Sequence, residues 1–160
     1  MGSQSKGENL AYIAGFLDGD GSLMFQIKKR KDGNYGWRFM FTICFYQDAR
    51  HGQPLSWIKQ QFKIGYISQR NDDITELRIN GYKQIEKILK NLLPYIKFKK
   101  KQATAMLKAV LLLKEKSIDM LNKNDRKRLA EYMLVIQNSN YVTKKKKTRK
   151  QIYKILDLTP

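Results

Sequence analysis

The chain has 160 residues, of which 42% are hydrophobic, so it can bury one core but not two. Its net charge of +18, from 32 basic and 14 acidic residues, indicates an anionic partner. Nucleic acid fits better than an acidic membrane, because no long apolar run and no basic amphipathic helix with a lipid face is present. The single cysteine, Cys44, excludes an intrachain disulfide, and the single histidine, His51, excludes a Cys/His zinc site. Any bound metal should therefore be a hard cation held by oxygen ligands.

The chain begins with a short polar segment, residues 1–7, which has no feature of a secretion or targeting signal and is predicted to be a flexible leader. Residues 8–19 then predict a first helix that is apolar on two faces, so both sides should be buried. Ala11, Gly15 and Gly19 recur at four-residue steps, and small residues let two helix backbones approach closely. One side would pack on the domain core and the other on a second helix. An ordinary core helix that ends at a glycine is the alternative.

Two hairpins follow, because polar and apolar residues alternate along four segments: 22–30, 37–46, 66–70 and 74–79. Helices are predicted at 54–62, 82–93, 101–115, 125–137 and 150–156. The order αββαββα, with a helical tail, predicts a single α+β domain over residues 1–160. A four-stranded antiparallel sheet would carry its helices on one face.

The open face of this sheet is predicted to bind DNA, because a two-stranded ribbon fits the major groove and amide, Arg and Lys groups read base edges there. The residues assigned to it are Gln26, Lys28, Arg30, Asn34, Arg38, Met40, Thr42, Cys44, Ser68, Arg70, Glu76 and Arg78. A solvated sheet face with ordinary polar residues is the alternative.

Two basic clusters extend the prediction. One is Lys97 to Lys101, and the other is the tail from Lys144 to Lys150, which is basic except at Thr148. Lys144, Lys145, Lys147 and Arg149 are predicted to contact phosphates, which would position the protein on a duplex without specifying sequence. A disordered, solvated tail is the alternative reading.

The segment from Asp18 to Gly21 combines two carboxylates with two glycines at the end of the first helix. The glycines suit a helix end, but carboxylates are disfavoured at the negative end of the helix dipole. A bound divalent cation such as Mg²⁺ would explain them.

The residues from Tyr12 to Ser22, YIAGFLDGDGS, resemble the motif of the LAGLIDADG homing endonucleases, in particular the single-motif, homodimeric branch. The element order, the basic sheet and the stretch from Pro94 to Gln102 are also similar to that branch. Since only one motif is present, a single chain would hold half of a catalytic centre.

The resemblance implies that two motif helices pack together at a dimer interface. The interface residues are then Ala11, Tyr12, Gly15, Phe16, Asp18 and Gly19. Each helix would deliver Asp20, with the backbone carbonyl of Gly19 as a further metal ligand. Asp18 would cap or organise the helix end rather than act in catalysis.

The resemblance also assigns Gln47 to the surroundings of the attacking water, and Lys99 to the active-site lysine after an offset of one residue in the preceding loop. Arg50 or His51 would add to the solvent network, although the segment 48–53 departs from the family pattern.

The implied activity is a metal-dependent staggered double-strand break in a long pseudo-palindromic DNA target, which promotes intron homing. Mg²⁺ is the expected cofactor, with Mn²⁺ substituting and Ca²⁺ binding without supporting cleavage; no nucleotide cofactor and no membrane is involved. The protein would be made and act in an organelle, a chloroplast or a mitochondrion. An intron RNA maturase and a non-catalytic DNA-binding regulator are the competing functions.

Overall fold

The elements follow the predicted order, helix–strand–strand–helix–strand–strand–helix, with further helices after them. The computed structural model describes residues 3–141 and 143–159, and the side chains of all of these except residues 3 and 4. The elements are α1 Ser3–Asp20, β1 Gly21–Lys29, β2 Trp37–Asp48, α2 Gln53–Phe62, β3 Tyr66–Gln69, β4 Ile74–Asn80, α3 Tyr82–Leu92, α4 Lys100–Glu115, α5 Lys123–Ser139 and α6 Arg149–Ile155. Single turns of 3-10 helix lie at Ala49–His51 and Ile118–Met120.

The predicted four-stranded antiparallel sheet is confirmed, with the strand order β1-β2-β4-β3. The first hairpin sets its register by pairing Phe25 with Phe41, and it closes with a backbone hydrogen bond from Arg30 N–H to Gly36 O at 2.9 Å. Alternation along the strands then turns one set of side chains toward the helices and the other set outward.

The helices cover the apolar face of the sheet. Side chains such as Ile13 and Leu17 of α1 and Phe41 and Phe45 of β2 are almost completely buried in a common core. Burying a side chain of this size stabilises the fold by about 1.5–3 kcal/mol relative to leaving it exposed. α4 continues the helical layer from α3 to α5, and α5 also reaches the edge strand β1. α1 packs on the core along one side only, because Ile13 and Leu17 are buried whereas Ala11, Tyr12 and Gly15 are exposed.

The first helix is longer than predicted. It begins at Ser3 rather than near residue 8, so the prediction of a flexible leader over residues 1–7 is wrong for residues 3–7, while residues 1 and 2 lie outside the described part. Gly7 is the only residue of segment 3–7 with a low helix propensity. It packs near Tyr95, because a Cβ built on it would lie 3.4 Å from the Tyr95 hydroxyl.

The motif glycine Gly21 explains how α1 passes directly into β1. A Cβ at this position would lie 2.6–2.8 Å from the side chain and backbone of Leu17, a distance that real Cβ atoms do not adopt. Only glycine therefore allows the strand to begin immediately beside the last turn of the helix. Gly21 therefore places Asp20 at the junction between α1 and β1.

Candidate active site at the end of the first helix

Asp20 is the last residue of α1, and both Asp20 and Gly19 are exposed. The carboxylate stands at the negative end of the helix dipole, where the backbone carbonyls of the last turn also lie. These oxygens repel one another, and a cation is the ligand that would relieve the repulsion.

Lys99 is brought to the same helix end from a distant part of the chain. Its ammonium donates a hydrogen bond to the backbone carbonyl oxygen of Asp18 at 2.5 Å. Burial lowers the pKa of Lys99, and the carboxylates of Asp18 and Asp20 oppose that shift. Lys99 therefore lies at the same end of α1 as Asp20, and the catalytic roles of the two residues stay predictions.

Asp18 has a different environment from Asp20. Its carboxylate accepts hydrogen bonds from the backbone N–H groups of Lys97, Phe98 and Lys99, at 2.7, 3.2 and 2.9 Å. The predicted organising role of Asp18 agrees with these contacts. Its predicted place in a dimer interface fits them less well, because the carboxylate is already bound within its own chain.

A cavity of about 430 Å³ opens beside Asp20 and Lys99. Polar side chains on its wall include Ser22, Tyr46, Arg70 and Asn140. The Asn140 amide donates to the Leu23 carbonyl oxygen at 2.8 Å and so fastens the segment after α5 to the sheet edge.

Sequence reasoning missed three of these residues as members of the site. Ser22 directly follows the motif, and Tyr46 shares the outward face of β2 with Thr42 and Cys44, so both carried a positional signal. Asn140 carried none, because its place depends on how α5 packs.

Gln47 does not join Asp20 and Lys99 on the cavity wall. Its side-chain oxygen accepts the backbone N–H of Asp48 at 2.9 Å, immediately along the strand. Next to it, the Arg50 guanidinium forms a salt bridge with Asp48 at 2.9 Å and holds the pKa of that carboxyl far below its usual range. Arg50 and His51 are exposed in the 3-10 turn that follows β2. The roles of Gln47, Arg50 and His51 stay predictions.

The outer side of the motif helix is open in the single chain. Ala11, Tyr12, Gly15 and Gly19 are exposed, and a Cβ built on either glycine would meet nothing within 4 Å. Phe16, also predicted for the interface, is half-buried and packs toward Phe45, with ring centroids 6.1 Å apart.

The outward face of the sheet and its hairpin loops carry most of the residues predicted to bind DNA. Those that are exposed or half-buried are Gln26, Lys28, Arg30, Asn34, Arg38, Met40, Ser68, Arg70 and Arg78. Some of these cations are engaged with acids at the surface: Arg30 with Asp32 and Arg70 with Asp72. Both ion pairs are solvent-exposed and join neighbouring residues, so they can open for a phosphate or a base.

Three predicted DNA contacts need correction, because Thr42 and Cys44 are 0% exposed and Glu76 is 7% exposed. Thr42 and Cys44 lie on β2, an inner strand paired with β1 on one side and β4 on the other, and the Thr42 hydroxyl donates to Asn80 at 2.7 Å. Glu76 accepts hydrogen bonds from Ser68 and Arg78. With this packing none of the three reaches a duplex.

The basic tail divides into free and bound cations. Lys144, Lys145 and Lys147 are exposed, next to a cleft of about 510 Å³ that the tail forms with β1 and α5. Arg149 instead forms a salt bridge with Glu131, and it also donates to the Tyr153 hydroxyl. The lysines remain available to phosphates, whereas Arg149 attaches α6 to α5.

The oxygen donors at the helix end fit a hard divalent cation but do not enclose one. Within the described residues, no group of three or more His, Cys, Asp or Glu side chains is placed to hold a metal. Asp20 and the Gly19 carbonyl could supply two oxygen ligands, whereas Mg²⁺ takes six ligands and usually keeps one or two carboxylates together with waters and phosphate oxygens. A second copy of the helix end would complete the carboxylate pair.

The sequence model of the LAGLIDADG endonuclease family matches residues 13–111. The chain belongs to this family. The match runs from the motif helix through both hairpins to α4, so it includes Asp20 and Lys99. A LAGLIDADG fold also explains why the motif helix is buried on one side and open on the other. No helix in the described ranges is sufficiently long and apolar to cross a membrane.

Relatives of this LAGLIDADG chain are similar over most of its length. DNA endonuclease I-CreI of Chlamydomonas reinhardtii is 29% identical over 110 residues, which are 69% of this chain and 67% of the relative. DNA endonuclease I-CvuI of Chlorella vulgaris is 29% identical over 100 residues, or 62% of each chain.

Solved structures share the fold over nearly the whole chain. I-CvuI in complex with its target in the presence of 2 mM Ca superposes with a TM-score of 0.79 and 23% identity, covering 99% of this chain and 100% of that one. The archaeal intron-encoded homing endonuclease I-Vdi141I complexed with DNA gives 0.77 and 21%, covering 94% and 95%. The α+β LAGLIDADG fold is thereby confirmed.

Proposed function

We propose that this protein is a site-specific homing endonuclease that binds a long pseudo-palindromic DNA target as a homodimer and makes a staggered double-strand break. The observation that carries the proposal is the meeting of Asp20 and Lys99 at the end of a helix whose outer side is open. Family membership supports the reaction class. The product break would promote copying of the host intron into the cut site.

The open face of the motif helix supports dimerisation. Gly15 and Gly19 leave space for a second backbone, and the flanking Ala11 and Tyr12 are exposed. Pairing two such helices about a two-fold axis brings two Asp20 carboxylates to one place and makes the recognised sequence pseudo-palindromic.

Asp20 and the Gly19 carbonyl would hold Mg²⁺, for which Mn²⁺ substitutes, while Ca²⁺ binds without supporting cleavage. When bound there, such an ion would supply Lewis-acid chemistry for activating water and for stabilising the leaving oxygen of the phosphodiester. Lys99 offsets the charge that develops on the scissile phosphate, and its partial burial strengthens that interaction by excluding water. No side-chain nucleophile is required.

DNA recognition is divided between the sheet and the tail. Gln26, Lys28, Arg38 and Arg70 face outward, and amide and guanidinium groups read base edges in the major groove. Lys144, Lys145 and Lys147 would contact phosphates, which sets orientation rather than sequence. The net charge of +18 per chain supports a strongly salt-dependent affinity. We further infer that the protein is made and acts in an organelle, a chloroplast or a mitochondrion.

The test selects duplexes from a random library that bind in Ca²⁺, changes the ion to Mg²⁺ and sequences the new DNA ends. Asp20→Asn is run in parallel, with Asp157→Asn as a matched control, because Asp157 is 98% exposed and lies after α6. We expect staggered cuts at the centre of a pseudo-palindrome for the wild type and the control, and binding without cuts for Asp20→Asn. Specific binding without cuts by the wild type overturns catalysis, and absence of specific DNA binding overturns the proposal and makes RNA the partner to test.

A further inference from the structure

Asp18 fixes both the backbone and the side chain of Lys99. The Asp18 carboxylate accepts the N–H groups of Lys97, Phe98 and Lys99, and its backbone carbonyl accepts the Lys99 ammonium. These four hydrogen bonds join positions about eighty residues apart, according to the separations of 79 to 81 that they span. One motif residue therefore determines where the distant lysine stands.

The contact also lies at the start of α4. Lys99 is the N-cap residue of α4, no side chain of the helix itself caps this end, and no acidic residue lies in its first turn. A helix N-terminus with unpaired N–H groups favours a carboxylate, and hydrogen bonds to an ionised acceptor are the strong kind. Asp18 reaches across from α1 and places a carboxylate just before this end, where it accepts the N–H of the N-cap residue Lys99 and those of the two preceding residues. These hydrogen bonds hold the C-terminal end of α1, at Asp20, next to the N-terminal end of α4, which follows Lys99.

We propose that Asp18 is a positioning residue for the reaction, which holds the Lys99 ammonium beside Asp20 so that the two act on the same phosphate. This inference rests on the endonuclease function proposed above. Asp18 would not ligate the metal itself, because three backbone N–H groups already occupy its carboxylate oxygens. A cap with no role in the reaction would have a different consequence: its loss would lower stability without selectively slowing the chemical step.

The experiment compares Asp18→Asn, Lys99→Met and the double variant, with Asp157→Asn as the charge-matched control. Target affinity is measured in Ca²⁺, and the single-turnover cleavage rate is measured in Mg²⁺. We expect Asp18→Asn to keep the wild-type Kd while its rate falls on the order of 100-fold, as displacing a reacting group by an ångström can do. The double variant should cleave no more slowly than Lys99→Met alone, because both changes remove the same ammonium from its place. The proposal is overturned if the rate losses of the two single variants multiply in the double variant. It is also overturned if Asp18→Asn cleaves at the wild-type rate.

A second measurement does not depend on cleavage. Backbone amide hydrogen exchange at residues 97–99 should be faster in Asp18→Asn than in the wild type. Equal exchange rates in the two proteins would show that Asp18 does not hold these N–H groups, and would overturn the proposal. If the wild type binds its target but never cuts it, the endonuclease function fails while the exchange result still tests how Asp18 holds the turn. If Asp18→Asn does not fold, Asp18→Glu replaces it. This variant keeps the charge but displaces it by one methylene, so a slowed rate supports positioning and a wild-type rate overturns it.

Discussion

The hydroxyl oxygens of Ser22 and Tyr46 lie 3.0 Å apart, within hydrogen-bonding distance, on the wall of the cavity that Asp20 and Lys99 also line. Burial raises the pKa of Tyr46 to about 12. The phenol is therefore protonated at neutral pH and can donate a hydrogen bond without adding negative charge near a phosphate.

Tyr46→Phe removes only this hydroxyl, and we expect the single-turnover cleavage rate to fall about tenfold, since a hydrogen bond contributes about 0.5–1.5 kcal/mol. Target affinity in Ca²⁺ should not change. Tyr132→Phe is the matched control, because the Tyr132 hydroxyl contacts Arg128 on α5, outside the cavity. An equal loss of affinity and rate would show that Tyr46 supports DNA binding as a whole rather than the reacting phosphate.

Gly15→Leu should convert the dimer into a folded monomer. Within one chain a side chain at this position has open space, and replacing glycine in a helix favours the helix by roughly 1 kcal/mol. In the dimer the same side chain would stand where the partner helix packs. Sedimentation gives the mass, and circular dichroism reports whether the helices are intact.

The control for this change is Lys108→Leu, which places a leucine on an exposed position of α4, away from the motif helix. It should remain dimeric. A dimeric Gly15→Leu protein would mean that another surface joins the two chains.

Glu86 makes the stability of the helical layer dependent on pH. Glu86 is only 8% exposed, and its carboxylate accepts hydrogen bonds from Lys114 at 2.8 Å and from Lys90 at 2.7 Å. These two lysines lower its pKa. Because the folded-state pKa is the lower one, the stabilisation is present above the ordinary glutamate pKa of about 4.3 and is lost as the pH falls through the folded-state value.

We therefore expect Glu86→Gln to lower the melting temperature at neutral pH, and the difference from the wild type to shrink at a pH below about 4. Thermal unfolding at both pH values measures this. Glu115→Gln, an exposed acid on α4, should have little effect at either pH. If the difference in melting temperature between Glu86→Gln and the wild type stays constant with pH, the loss comes from packing and not from the charge of Glu86.

Local patterns in the sequence were sufficient to predict the order of the elements and, after α1, their ends to within about two residues, because alternation and turn residues act over short distances. The pairing of Asp20 with Lys99 came from the resemblance, since no local pattern connects positions so far apart. The structure supplies the reason for it: Asp18 binds the turn at 97–99.

What the sequence could not predict depends on neighbours in space. Alternation correctly placed Thr42 and Cys44 on the outward face, but exposure depends on the strands and long side chains beside them, and both are buried. Gln47 occupies a strand end, where its side chain turns to the adjacent backbone instead of the cavity. Asn140 reaches the site only because α5 packs against β1.

The salt dependence of DNA binding should separate the free cations of the tail from the bound one. Lys145→Ala and Lys147→Ala should each reduce the slope of log Kd against log salt by about one unit, because each removes one phosphate contact. Arg149→Ala should leave the slope unchanged, because its guanidinium is held by Glu131 and Tyr153. It should instead loosen α6 and lower the melting temperature. Titrating the selected target at several KCl concentrations measures the slopes. If Arg149→Ala reduces the slope as much as the lysine changes do, the pair with Glu131 opens on DNA and Arg149 binds phosphate after all.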